Sequence, residues 1–388
     1  MSILIRRPGR RVRNAILPLA LAGVAPLAAQ QPAASPSAAP TATYWVYAGA
    51  ESADLIHRVK FGPDGATVEK TIPAGMYATE TEGPHGLAIG RDGRYLHMTT
   101  GHGLPDGMYW KLELGPDTVV GEPIPLGNFP ATLDVTPDGL YAFVVNFNLH
   151  GEHVPSDVSV VYTGDIVEVA RTETCTMPHG SRLNPAGTFQ YSACMMDDQV
   201  VEIDTRTFEV SRRFSVAQGA EGPIDLAAEA GDHAGHGMEH APSCSPTWAQ
   251  PGFDGARIYV ACNRSDEILE IDAEDWTLLR RFPTGRGIYN LEVSRDGALL
   301  AGTLKQGNAI EVFDLATGTS RGRIETSTTI AHGIVISPDS RYAFVTVEGV
   351  GAEPGKVDIF DLAAMQRVAS VEVGQQASGI AFWKMEQP

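Results

Sequence analysis

HGIVISPDSRYAFVT, running from His332 to Thr346, decides the fold, because copies of it recur along the chain. Close copies are HGLAIGRDGRYLHMT from His85, ATLDVTPDGLYAFVV from Ala131 and HGSRLNPAGTFQYSA from His179. SPTWAQPGFDGARIYVA from Ser245 and YNLEVSRDGALLAGT from Tyr289 are weaker ones. Each opens on a small residue or His, alternates apolar and polar residues, turns at an Asp-Gly-like pair, and ends in an apolar run. Alternation on both sides of a tight turn predicts a β-hairpin. The turn falls at Asp92, Asp138, Ala186, Asp254, Asp296 and Asp339, with spacings of 46, 48, 68, 42 and 43 residues.

A second hairpin follows the first, as in EILEIDAEDWTLLRRF from Glu267, AIEVFDLATGTSRGRI from Ala309 and KVDIFDLAAMQRVASV from Lys356. Four strands per period of about 40–50 residues predict an all-β propeller of four-stranded antiparallel blades. Tyr44 to Thr71 supply three strands with no inner strand before them. SGIAFWK, from Ser378, supplies an inner strand with nothing after it. Together they predict a composite blade that closes the ring and removes the free sheet edges. The expectation is therefore seven blades over residues 44–388.

ISPDSRYAFVTVEG, VTPDGLYAFVVNFN, FDLATGTSRGRI and VASVEVGQQASGIAF resemble the blades of the YVTN-type, lactonase-like propeller family. The resemblance runs over the whole of residues 44–388. It implies the fold, and it implies little about function, because such propellers include lactonases, cell-surface binding proteins and relatives of copper-containing enzymes.

The first residues read differently. Arg6, Arg7, Arg10, Arg11 and Arg13 precede an apolar stretch from Ala15 to Ala29 that is too short to span a bilayer. Residues 1–29 are expected to be a cleaved signal peptide, and 30–43 a Pro/Ala/Ser/Thr-rich spacer. The expected location is periplasmic or secreted, with no membrane span. Losing five arginines and no acids takes the formal net charge from −18 to −23. Such an acidic chain repels phosphate backbones, which excludes nucleic acid as a partner. A monomer is expected.

Propeller topology sorts the eleven histidines. His85, His179 and His332 each stand seven residues before the turn position, each is followed by Gly, and each begins an inner strand. All three are expected at one mouth of the central channel, with Ala131, Ser245, Tyr289 and Ser378 at the same position in other blades. His102, His150 and His153 fall in loops joining second to third strands. His233, His236 and His240 fall in an inter-blade insertion, residues 226–243. Nine histidines thus belong to one mouth, leaving His57 and His97 to packing. Converging imidazoles suit copper or zinc, and an exported setting favours copper. The bland reading is repetition by descent, each His bonding a neighbouring carbonyl.

Cys175, Cys194, Cys244 and Cys262 are an even set, and their repeat positions predict the pairs Cys175–Cys194 and Cys244–Cys262. The alternative makes Cys175 and Met177 soft ligands beside His179. Ser181 lacks a nucleophile-elbow context. Glu82, Asp134 and Glu348 lie near the mouth as unremarkable acids. Asn146, Asn148 and Asn263 are expected to bond loop backbone. The expected function is an exported propeller with a histidine-rich metal site, its catalytic residues unknown. Two alternatives remain: an envelope scaffold binding a small molecule or protein without metal, and a lactonase-like metal-dependent hydrolase.

Overall fold

The computed structural model describes residues 39–77, 79–102, 106–226 and 241–388. The proposed signal peptide, most of the spacer, and His233, His236 and His240 lie outside the described residues. Among the described residues no helix is long and apolar enough to cross a membrane.

The chain is all-β, built from consecutive antiparallel meanders, consistent with a β-propeller. Their inner strands are Pro84–Ile89, Pro130–Val135, Pro178–Leu183, Pro246–Pro251, Ile288–Val293, Ala331–Ile336 and Ala377–Glu386. Each touches the next, and Ala377–Glu386 returns to Pro84–Ile89, so the cycle closes. Ala377–Glu386 also pairs antiparallel with Thr43–Ala50, which continues into Leu55–Gly62 and Gly65–Pro73. The composite sheet expected from the two ends is therefore present. One nine-stranded sheet joins two meanders through a single parallel pair, Gly180 and Trp248. Its extra strand, Gly222–Ile224, precedes the insertion.

The sequence alternation explains the core. Side chains pointing to one face of a sheet meet those of the neighbouring sheet, as Tyr44 and Phe61 meet Tyr342 and Phe344. The Asp-Gly turns work as read: Gly93, Gly139, Gly187, Gly255 and Gly297 all take φ between +66° and +75°. In the sixth turn Ser340 adopts φ +59° instead.

Both expected disulfides form, Cys175–Cys194 and Cys244–Cys262. Cys244–Cys262 closes the open end of one hairpin, as read, because Cys244 stands two residues before Pro246, the partner of Cys262; Cys175–Cys194 differs. Cys175 lies in the outer strand Val167–Thr176 of the preceding sheet, which runs ten residues and carries it past the blade boundary. Its bridge therefore ties two sheets together. Neither sulfur is a free thiolate, which removes Cys175 as a metal ligand.

Candidate functional site

Each inner strand begins in the same strained way. The residue before it adopts a left-handed conformation: Gly83, Phe129, Met177, Ser245, Gly287, Ile330 and Gln376 have φ from +48° to +70°. The carbonyl of each accepts a hydrogen bond from the first residue of the loop after its partner strand. Those donors are Gly101, Phe147, Met195, Asn263, Lys305, Glu348 and Glu51, at 2.8–3.3 Å. The mouth therefore has two concentric rungs per meander. The inner rung carries His85, Ala131, His179, Thr247, Tyr289, His332 and Ser378. The outer rung carries the seven donors.

This registration corrects one expectation. Pro246 pairs with Cys262 as Pro178 pairs with Cys194, so Thr247, not Ser245, stands at the His position. The spacing rule itself selects Thr247, seven residues before Asp254. The Gly after each His has a clear task. A Cβ on Gly86 or Gly180 would lie 2.3 Å from the carbonyl oxygen of Ala131 or Thr247 on the next inner strand.

The three inner-rung histidines come together and are buried. The His85 ring centroid lies 5.5 Å from that of His332 and 6.2 Å from that of His179. His85 Nδ1 meets Glu51 Oε2 at 2.9 Å, and His102 Nε2 meets Glu51 Oε1 at 2.5 Å. A carboxylate only accepts, so both nitrogens carry the proton. His102 Nδ1 then accepts from His150 Nε2 at 3.2 Å. His179 Nδ1 donates to the Thr247 carbonyl at 3.0 Å, and its Nε2 accepts from the Tyr289 hydroxyl at 3.1 Å. His332 Nε2 is 3.9 Å from Glu348 Oε1. Its buried Nδ1 has no well-directed partner, although the Ser378 carbonyl favours the protonated ring.

Electrostatics follow from burial. Burial pushes the His179 imidazole down to about 3 and holds His332 well below its ordinary value, so both rings are neutral. Burial also opposes ionisation of Glu51, but His85 and His102 outweigh it and hold the carboxyl well below its usual range. The Lys305 ammonium bonds Glu348 at 3.0 Å and rests 4.3 Å from the Tyr289 ring centre. Phe129 and Phe147 wall the cluster, packing on His85 and His179. A cavity of about 30 Å³ is lined by the three histidines together with Arg182, Trp248 and Asn290.

The other singled-out residues separate cleanly. His153 is exposed on the rim and has no ring contact or hydrogen bond with the cluster among the described residues. His57 bridges Thr71 and the Gly374 amide, and His97 bonds Tyr109, both as packing residues. Glu82 caps the Tyr77 amide, and Asp134 accepts from Val135 and Leu183. Asn146 and Asn148 bond loop backbone as expected, whereas Asn263 donates to the carbonyl of Ile288 at the start of an inner strand. Ser181 is fully buried beside Thr132. Tyr289 stands at the repeat position already read from the sequence, while Glu51 and Lys305 are site residues that the histidine pattern does not reveal.

Among the described residues no three His, Cys, Asp or Glu side chains form a group with metal-holding geometry. Two imidazoles sharing one ion through Nε2 place their centroids on the order of 5–5.5 Å apart. His85 and His332 meet that spacing, while His179 stands somewhat wide of it.

No family model matches the chain, and no curated protein matches it. Solved structures do. The chain is similar to Kuenenia stuttgartiensis hydrazine synthase, with a TM-score of 0.60 and 17% identity over 79% of this chain and 93% of that one. It is also similar to the Pseudomonas aeruginosa periplasmic gluconolactonase PpgL, with a TM-score of 0.65 and 19% identity over 89% and 100%. At these identities the likeness shows the β-propeller fold alone.

Proposed function

We propose that this is an exported, seven-bladed propeller that holds one transition-metal ion, copper before zinc, at its axial imidazoles. The count of seven takes the nine-stranded sheet as two blades joined at their inner strands. Export rests on the basic and apolar N-terminal segment together with two disulfides.

One observation carries the metal reading. The Nδ1 nitrogens of His85 and His179 are tied to a carboxylate and a backbone carbonyl, which fixes the tautomer that leaves Nε2 as a lone-pair donor. Protein metal sites orient their histidines by this arrangement. Burial keeps His179 and His332 neutral, hence able to ligate. Two carboxylates, Glu51 and Glu348, stand beside one ammonium, Lys305, at the cluster, a balance that favours a cation in place of the imidazole protons. His179 has to move inward and exchange its hydrogen bond from the Tyr289 hydroxyl for the ion. His102 and His150 orient His85 through Glu51 rather than joining the axial set.

The ion would supply Lewis acidity and polarise bound water or a carbonyl. Equilibrium dialysis against Cu(II), Cu(I) and Zn(II), followed by elemental analysis, tests this. One ion per chain is expected, lost in the His85→Ala/His179→Ala/His332→Ala triple variant with folding intact. No stoichiometric ion in the parent overturns it.

A second reading has one observation in its favour. The Lys305 ammonium over Tyr289 offers a fixed cation at the same mouth, which suits a small polar or anionic ligand without metal. The gluconolactonase likeness makes sugar lactones the first compounds to try, both as ligands and as substrates of an ion-activated water.

A further inference from the structure

Three residues past His179 the chain carries Arg182, whose guanidinium pairs with no carboxylate among the described residues. We propose that the inner end of the axial cavity is a site for a small planar oxyanion of the carboxylate type, held by Arg182 with Asn290 beside it. The site needs no metal, so it stands or falls independently of the reading above.

Position comes first. A strand rises about 3.3 Å per residue, so Arg182 lies roughly 10 Å along its strand from His179. It lines the cavity together with Thr132, Trp248 and Asn290. Arg182 is half-buried, so water reaches it. Its guanidinium carbon sits 4.5 Å from the centre of the Trp248 ring, and stacking on that ring fixes the guanidinium plane. Among the described residues its one hydrogen bond runs from Nη1 to the Ser181 carbonyl at 2.9 Å. The Nε and Nη2 donors are left for a ligand.

The acids whose field reaches Arg182 do not compete for it. Asp134 gives its two oxygens to the Val135 and Leu183 amides, at 2.8 and 2.9 Å. Burial raises the Glu292 carboxyl to about 7, so below that pH it is mostly the neutral acid and able to donate. A purely structural arginine would bridge one of these two carboxyls. This one lies on Trp248 and keeps its fork open.

Asn290 adds the second observation. It is 5% exposed, its side-chain oxygen is buried without a partner, and its amide N–H groups bond no protein atom among the described residues. Buried polar side chains are ordinarily paired, so an orphaned amide beside an unpaired guanidinium marks a place suited to a polar ligand. A guanidinium fork matches two oxygens of one planar anion. Volume sets the size. A water needs about 10–15 Å³ of such space, so a cavity of about 30 Å³ takes two or three heavy atoms, as in formate, and excludes a sugar acid or an aromatic acid.

The test is to titrate the metal-free full chain with carbon-13-labelled formate, following the broadening of its carbon resonance, with benzoate as competitor. One saturable site is expected, not displaced by benzoate. Arg182→Met should bind formate about 10-fold or more weakly, while the His85→Ala/His179→Ala/His332→Ala variant should bind it as the parent does. No saturable binding in the parent, or equal binding in Arg182→Met, overturns the proposal. Loss of binding in the folded triple-histidine variant also overturns it, by moving the anion to the imidazoles. If Arg182→Met does not fold, Asn290→Asp decides, since a carboxylate at that position should abolish formate binding and unchanged affinity would refute the site.

Discussion

Glu292 sits three residues beyond Tyr289 on the same inner strand, near Asp134 and Arg182 on the channel wall. Burial pushes its carboxyl up to about 7, Arg182 pulling it down and Asp134 adding to the rise. A carboxyl whose folded value lies above its ordinary 4.5 stabilises the fold fully below pH 4.5 and loses that contribution as pH rises through 7. Glu292→Gln should therefore be more stable than the parent at pH 8, by about 2 kcal/mol, and nearly equal to it at pH 4. Denaturant melts at both values check this, and equal differences at both would sink it. Glu51 has the opposite sign. Its folded value is depressed by His85 and His102, so its contribution is present above pH 4.5 and lost as pH falls. Glu51→Gln should cost about 2–3 kcal/mol at pH 7 and clearly less at pH 3, measured the same way. The axial histidines were legible in sequence because His-Gly recurs at one spacing. Glu51 and Lys305 were not, since their rung holds Glu, Gly, Phe, Met, Asn, Lys and Glu, with no shared chemistry to mark it.

Among the elements, the hairpins were the most legible, since Asp-Gly pairs and alternation fix turn and register together. Ser340 is the exception that the fold tolerates. A side chain at φ +59° costs roughly 1 kcal/mol against glycine, so Ser340→Gly should stabilise the protein by about that amount. An unchanged or lowered melting midpoint would contradict it. The inner strands behave oppositely toward substitution. Gly180→Ala pushes a methyl group onto the Thr247 carbonyl and the Trp248 ring, both fixed by the sheet, and should cost 2 kcal/mol or more, roughly as overpacked cores do. Disulfide pairing was readable from repeat position. That Cys175 staples one sheet to the next was not, because sequence alternation does not say where an outer strand stops. Replacing Cys175 and Cys194 by Ala should lower stability by about 2–4 kcal/mol, seen as a lower denaturant midpoint without loss of native β signal.

The closed cycle of inner strands makes the propeller cooperative around its circumference. Among the described residues Ala377–Glu386 is the strand of the Thr43–Ala50 sheet that belongs to the inner cycle, and Trp383 anchors it further on the Gly93 carbonyl. A chain ending at residue 376 exposes both edges of that gap and should lose its single sharp unfolding transition. A truncated protein that melts like the parent would mean the seam is dispensable. Closure was legible from the two incomplete repeats. What the sequence could not convey was how far the imidazoles converge, because ångström-level spacing depends on neighbouring carbonyls packing against Gly86, Gly180 and Gly333.

Thr43 faces Glu386 across that seam, at the far end of an inner strand whose first residues line the imidazole entrance. A tether, tag or anchoring group joined at either of these points therefore departs from the strand end opposite the imidazoles. Surface-attached assays made through residue 43 or residue 386 should therefore report the same ligand affinity as the free protein.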